Sequence, residues 1–521
     1  MDAPALGRHR PLRTGVARRA RSGGRPVTDT TAGAGHSADV DARQLADLGY
    51  TSEFRRDMSL WANFSLGFTY LSPVVGIYTL FAVSLAAAGP PMIWSLVIVG
   101  LGQLLVALIF GEIVSQYPIA GGIYPWARRL WGQKWAWMTG WVYAIALLVT
   151  IASVVYGSGP YLASLLDLSV SATTTTVCAL VMVALATVIN LGGTRVLGMA
   201  AMIGFGTEIL GALAVGGWLL IAERRHGLGV LFDGFGAAPE GSYLAAFLAA
   251  GLIGIFQYYG FEACGDVAEE VPDAGRRIPK AMRMTIYVGG AAATFVCLAL
   301  VLAVPDFGAV ISGADADPVG GVLTTAFGSF GAKVVLVVVL VSFLSCAMSL
   351  QAAASRLLYS YGRDRMLPGS GLLARFSHQR GVPPYALLVA AVVPAVVVLV
   401  SGFSEDAVTK IVSFAVLGIY LGFQMVVLAA LRARLKGWRP AGSFTLGRWG
   451  FAVNAGALLY GVAAIVNMVW PRTEGAPWYD DYLVLLSGVV VAGAGLLLMM
   501  TLRPYRYSTA TAGDAISRED G

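Results

Sequence analysis

Long apolar runs dominate the chain, and their lengths predict its elements. No Asp, Glu, Lys or Arg occurs from Met58 to Gly111, Trp135 to Leu166, Leu168 to Thr194, Met284 to Pro305, Val334 to Ser355 or Val382 to Ser404. An apolar run of about 18 residues or more is long enough to cross a bilayer as a helix. Buried helices of a large soluble enzyme do not account for so many runs of that length. The pattern predicts an all-α integral membrane protein with twelve transmembrane helices, near 60–87, 91–115, 135–165, 173–192, 196–222, 242–270, 282–304, 322–358, 383–402, 408–431, 450–470 and 482–502. Gly89-Pro90-Pro91 separates the first two. The sixth and eighth are long enough to tilt, break or extend past the bilayer.

Composition agrees. The 521 residues are 57% apolar and 13% charged, against about 25% charged in soluble domains. Mean hydropathy is +0.71. Charge then sets orientation. With both termini inside, Arg128, Arg129, Lys134, Arg195, Arg276, Arg277, Lys280, Arg356, Arg363, Arg432 and Arg434 fall in inner loops, and only Arg224, Arg225, Lys333, Lys410 and Arg472 fall outside. Positive loops stay cytoplasmic. The chain therefore reads as a multi-pass protein of the cell membrane with cytoplasmic ends. Its net charge of +6 marks topology and contact with anionic lipid, not nucleic acid. Residues 1–57 are expected to form a mostly disordered cytoplasmic tail, with a short amphipathic helix within Asp41–Arg56. Residues 58–503 form the membrane domain and 504–521 a second cytoplasmic tail. The four cysteines lie in apolar runs and the four histidines are scattered, which predicts no disulfide framework, no metal site and no cofactor.

Two spans carry interruptions. The first contains Ser72-Pro73-Val74-Val75-Gly76, where Pro73 lacks an N–H and Gly76 relaxes the backbone. The sixth contains Phe256-Gln257-Tyr258-Tyr259-Gly260-Phe261-Glu262. A carboxylate at membrane depth is costly and points to function. A broken helix is tolerated in a bilayer only where the freed backbone lines a cavity or is buried in protein. First and sixth are equivalent positions of two five-helix halves, and matched breaks there mark the cargo site of an inverted-repeat transporter.

Three stretches then carry a family resemblance. They are Gly260-Phe261-Glu262 followed by Val267-Ala268-Glu269-Glu270-Val271-Pro272-Asp273 and Arg276-Arg277-Ile278-Pro279-Lys280-Ala281; Glu112 through Gly132; and Ser355-Arg356-Leu357-Leu358-Tyr359 with Arg363-Asp364-Arg365-Met366-Leu367-Pro368. Together they resemble the amino acid–polyamine–organocation permeases. The opening Leu48-Gly49-Tyr50 through Ser65 is similar to the amino acid/choline branch, which includes GABA permeases. The resemblance implies a five-plus-five inverted repeat with two further C-terminal helices, and cargo between helices one, three, six, eight and ten. It implies that span-1 backbone receives a cargo carboxylate. The family's usual Gly-Ser-Gly-Ile-Phe reads Val74-Val75-Gly76-Ile77-Tyr78 here, which favours a choline-like or amine cargo. Phe256 stands where relatives place an aromatic that closes over the cargo.

The expected binding residues are thus Ser72, Pro73, Val75, Gly76, Ile77, Phe256, Tyr258, Gly260 and Phe261. Tyr258, Tyr259 and Phe261 could offer cation–π contact to an ammonium. Glu208 falls where several relatives carry a lysine that takes up the coupling proton, so that mechanism cannot be transferred. Glu208 is read as a protonatable or cation-pairing group, or as a neutral Glu bonded to a neighbouring helix. Glu262, Ser345 and Ser349 complete the expected coupling set, although Ser also serves as interhelical glue. Glu269 and Glu270, close to Arg276, Arg277 and Lys280, with Arg128 and Arg129 in the same cluster, form a cytoplasmic gate or an interfacial ion-pair layer. The function expected is proton- or cation-coupled secondary transport of an amino acid or GABA-like amine. Alternatives are a choline, ethanolamine or polyamine carrier, an amino acid exchanger, and a membrane sensor with a transporter fold. No phosphate-binding Gly-rich loop suggests ATP use, and no His/Asp/Glu or Ser/His cluster supports an enzyme.

Overall fold

A computed structural model describes residues 40–237, 242–401, 405–472 and 477–516, with the side chains of 405–413 excluded. Among the described residues, eleven helices are long and apolar enough to cross a membrane. They are span 1 (Leu60–Ala88), span 2 (Pro90–Gln116), span 3 (Gln133–Leu165), span 4 (Ala172–Leu191), span 5 (Thr194–Ala222), span 7 (Ala274–Ala303), span 8 (Pro318–Arg363), span 9 (Pro384–Ser401), span 10 (with the apolar stretch Phe414–Leu435), span 11 (Gly447–Val469) and span 12 (Leu483–Leu502). Span 6 is the shorter apolar helix Tyr243–Gln257, followed by Ala263–Asp266.

Local chemistry sets many of the boundaries. Ser59 accepts the Ala62 N–H at 3.1 Å and starts span 1. Ser171 accepts the Thr174 N–H at 3.2 Å and starts span 4. Asp317 caps Pro318 by accepting the Gly320 N–H at 3.0 Å. Short polar side chains suit these positions because the first N–H groups of a helix lack intrahelical partners.

Span 3 packs against both span 8 and span 10, and span 8 also meets spans 1, 4 and 5. Span 12 lies at the periphery against spans 3 and 10. Span 8 bends at Gly328, where φ is +64°, so its first ten residues form a separate limb. Span 7 carries a π-helical turn at Thr285–Gly289. That turn faces span 1: a Cβ on Gly289 would come within 2.8 Å of Leu71.

Several boundaries differ from the sequence expectation. Span 7 begins at Ala274, so Arg276, Arg277 and Lys280 sit on a helix and not in a loop. The helix expected over Asp41–Arg56 covers only residues 40–47, because the chain turns at Gly49 with φ +85°. Residues 1–39, the bulk of the expected disordered tail, lie outside the described residues. Residues 40–57 strap across the bundle end where the buried arginines lie. Gln44 donates to Ser115 O at 3.3 Å. Arg56 donates to Val271 O at 3.1 Å. The other terminus returns to the same place. The N–H groups of Gly513 and Ala515 donate to the carbonyls of Arg128 and Arg129 at 2.8 and 3.2 Å.

Candidate functional site

Both expected interruptions are present, and they touch. Span 1 consists of two helices, Leu60–Leu71 and Pro73–Ala88, joined at Ser72 with φ 41° and ψ 92°. Pro73 occupies the first position of the second helix, where a missing N–H costs nothing. In span 6 the helix stops at Gln257 and resumes at Ala263. Gly260 between them has φ +111°, a conformation open to glycine. A Cβ there would stand 2.6 Å from the Leu71 nitrogen. The two breaks therefore meet backbone to backbone. Gln257 ties them further by donating to the Leu71 carbonyl at 3.1 Å.

Gly76 differs from its expected role. It lies inside a regular helix and does not loosen it. Its missing side chain makes room for the Gln257 amide, which a Cβ would strike.

Glu208 of span 5 reaches into the first break. One carboxylate oxygen accepts the Ser72 hydroxyl at 2.7 Å and the Val74 N–H at 2.9 Å. The carboxylate is fully buried, and its second oxygen has no hydrogen-bond partner. A negative group at a helix N-terminus is favoured by the helix dipole.

Glu262 serves the second break. It accepts the Gly260 N–H at 2.7 Å and the Tyr143 hydroxyl of span 3 at 3.1 Å. Thus each break is held by its own buried acid.

Aromatic rings line the junction unevenly. Tyr70 and Tyr259 meet edge to face at 5.9 Å, and Phe256 meets Tyr259 at 5.5 Å. Phe261 instead joins Phe110 and Phe423 at 5.9 and 5.5 Å. Tyr258 faces away from span 1. It lines a lateral cleft of about 520 Å³ with Gly100, Gly290 and Thr294. Of the three aromatics expected to meet an ammonium, only Tyr259 stands beside Tyr70 at the break, and Phe256, expected to close over the cargo, packs against it.

Ser349 lies 2.9 Å from the Thr69 hydroxyl, and Ser345 packs against Gly204 of span 5. Both connect span 8 to the elements around the first break. Val75 and Ile77 are buried on the helix that Glu208 caps.

Two residues absent from the sequence expectation stand at the same junction. Asn63 donates to the Cys264 carbonyl at 3.0 Å, joining span 1 to span 6 below the break. Asp266 is fully buried with neither carboxylate oxygen bonded. A Cβ on Gly122 would lie 2.6 Å from its Oδ1. The sequence signal for Asp266 was its place inside the expected sixth span, four residues after Glu262. It was overshadowed by the acidic pair that follows.

That pair closes the arginine-rich end with partners other than those expected. Glu269 accepts from Arg363 at 2.9 and 3.1 Å and from the Ala120 N–H at 3.1 Å. Glu270 accepts from Arg356 at 2.8 and 3.3 Å, and also from the Thr194 hydroxyl. Arg276, Arg277 and Lys280 are not the partners. Arg128 and Arg129 form a second layer. Arg128 pairs with Asp364 and Arg129 with Asp514. Burial pushes the Tyr50 hydroxyl up to about 12, so it stays protonated and donates to Asp364 at 2.9 Å.

This arrangement holds two interrupted helices against each other beside buried acids, and it offers no cluster of metal-ligating groups among the described residues. Comparison with known proteins gives the same class. The chain is 27% identical over 510 residues to a protein from Oryza sativa subsp. japonica named amino-acid permease BAT1 homolog, covering 91% of this chain and 95% of the relative. It is 26% identical over 500 residues to amino-acid permease BAT1 of Arabidopsis thaliana, covering 87% and 92%. An uncharacterized amino-acid permease of Schizosaccharomyces pombe, C11D3.08c, matches at 24% over 481 residues, covering 88% and 86%. The family model described as amino acid permease matches residues 58–493, and the chain therefore belongs to the amino acid permease family, as a multi-pass membrane transporter and not an enzyme.

Proposed function

We propose that the protein is a secondary active permease that carries an amino acid or GABA-like amine across the cell membrane. The observation that carries this reading is the contact of two broken helices, each bonded at its break by a buried acid. Cargo binds at the junction near the bilayer midplane, and the halves rock around it. Coupling is to a proton or a monovalent cation through Glu208 and Glu262. Both ends of the chain face the cytoplasm, because the arginine-rich end obeys the positive-inside rule. The ion pairs of Glu269 and Glu270 then form the cytoplasmic gate.

Glu208 also favours a second reading. It already fills the anion position at the span-1 break, which suits a choline, ethanolamine or polyamine cargo.

Uptake by purified protein in liposomes tests both readings. Labelled GABA, several α-amino acids, putrescine and choline are supplied with and without an inward proton gradient. Saturable uptake stimulated by the gradient is expected for one class. Uptake of an amino acid only against a preloaded internal partner would identify an exchanger. Absence of uptake by monodisperse protein in every arm would favour a sensor.

A further inference from the structure

We propose that the break in span 1 reads the ammonium group of the cargo and not its carboxylate, with Glu208 as the counter-charge. The inference rests on the transport reading above.

It follows from accounting for every donor of that turn. The first N–H groups of a helix have no intrahelical partner and form a natural anion seat. In the helix Pro73–Ala88 these donors are all engaged. Pro73 has no N–H. The Val74 N–H donates to Glu208 at 2.9 Å and the Val75 N–H to the Ser72 hydroxyl oxygen at 3.3 Å. The Gly76 N–H donates to the Ser72 carbonyl at 3.1 Å, and the Ser72 N–H closes the preceding helix on Phe68 O at 2.8 Å. The Ser72 hydroxyl proton goes to Glu208 at 2.7 Å. A cargo carboxylate finds no donor left in this turn.

What remains is acceptor. The second oxygen of Glu208 and the side-chain oxygen of Gln257 are buried and without partners. The bond from the Gln257 amide nitrogen to Leu71 O fixes the amide, so its oxygen faces the first turn at Gly76. The rings of Tyr70, Tyr259 and Phe256 add negative faces beside the break. The helices Leu60–Ala88 and Tyr243–Gln257 contain no Lys, Arg or His. A buried carboxylate oxygen without a partner is costly unless a cation or proton meets it. The break thus offers two unpartnered acceptor oxygens, ring faces and the Tyr70 hydroxyl, which can accept as well as donate, and a primary ammonium with its three N–H bonds complements that set. The cargo class is therefore a compound with a free ammonium whose carboxylate is optional.

A derivative series on the unmutated protein tests this. Full-length protein in liposomes takes up the labelled solute found by the screen above. The unlabelled parent amino acid, its carboxamide, its decarboxylated amine and its N-acetyl derivative compete. The carboxamide and amine are expected to compete within about threefold of the parent, and the N-acetyl form at least about tenfold more weakly. Equal competition by the N-acetyl form, or loss of competition by both carboxamide and amine, overturns the proposal while leaving transport intact. Glu208→Gln should weaken the binding of every ammonium-bearing solute about tenfold or more, read as thermal stabilisation so that a loss of coupled uptake does not hide it, and Glu208→Asp should recover part of that loss. Unchanged stabilisation of a monodisperse Glu208→Gln protein also overturns the proposal. If the wild type takes up no solute, the transport reading fails. Thermal stabilisation by decarboxylated amines but not by their N-acetyl forms then still supports ammonium recognition, and its absence removes that too.

Discussion

Three buried acids near the breaks, and Glu270 at the arginine-rich end, differ in how their oxygens are used, and the difference predicts what each substitution does. Glu262 has both oxygens bonded. Glu208 has one bonded oxygen, and Asp266 has none. Glu270 is held by Arg356. Removing a bonded buried acid strands its donors, at about 1–3 kcal/mol for each unsatisfied group. Glu262→Ala should therefore lower the unfolding temperature measurably, because the Gly260 N–H and the Tyr143 hydroxyl lose their acceptor. Asp266→Asn strands nothing and removes a buried group with no counter-charge. Its unfolding temperature, followed by thermal denaturation in detergent, should equal or exceed the wild-type value. A large fall would mean that Asp266 holds a structural partner. Sequence reasoning marked Glu208 and Glu262 because isolated charges in apolar runs stand out locally. It passed over Asp266 because Glu269 and Glu270 follow so closely. It placed Tyr258 at the break because nothing in a sequence fixes how a chain rotates after a helix stops.

At the scale of elements, glycine works in two ways. Gly260 supplies a backbone conformation, whereas Gly76 supplies space for Gln257. Gly260→Leu should give a folded, membrane-inserted protein without uptake, since a side chain would press on Leu71. Normal uptake would sink the broken-helix site. Gly76→Ala should destabilise by about 1–3 kcal/mol through overpacking. Gln257→Ala in the same protein should recover much of that stability, because the clash is with one side chain. Additive effects in a double-mutant cycle of unfolding free energies would show that the two do not couple. The spans were legible because apolar length is a local property. The break at Ser72 was legible only as a neighbourhood, Ser72 to Gly76, because Glu208 from span 5 and Gln257 from span 6 decide its geometry. The limb of span 8 before Gly328 was not separable, since both sides of that glycine are equally helical in composition.

In the whole molecule, the arginine-rich end is closed in layers. Arg356 with Glu270 is fully buried, whereas Arg363 beside Glu269 is 15% exposed. Removing one partner of a buried pair costs about 3–5 kcal/mol, and the cost falls where water reaches one of the partners. Arg356→Ala should therefore lower the unfolding temperature more than Arg363→Ala does. The opposite order would mean that the outer layer holds the end shut. The partners of these acids come from span 8, more than eighty residues downstream. That is why the nearer Arg276, Arg277 and Lys280 were the natural sequence expectation.

The shortness of span 6 has a consequence for how the protein is made. Its fifteen-residue first helix is about 22 Å long, against a hydrocarbon thickness of about 30 Å. Its last residue and the chain after it are held by Leu71, Asn63 and Tyr143, all of which leave the ribosome earlier. Span 6 cannot settle in the bilayer as an independent helix, so the first half must act as its template during biogenesis. A gene divided in the loop after Ala222 should yield a second fragment that is degraded when produced alone. The same fragment should accumulate when the first is co-expressed. Stable accumulation without the first fragment would show that the second half inserts by itself.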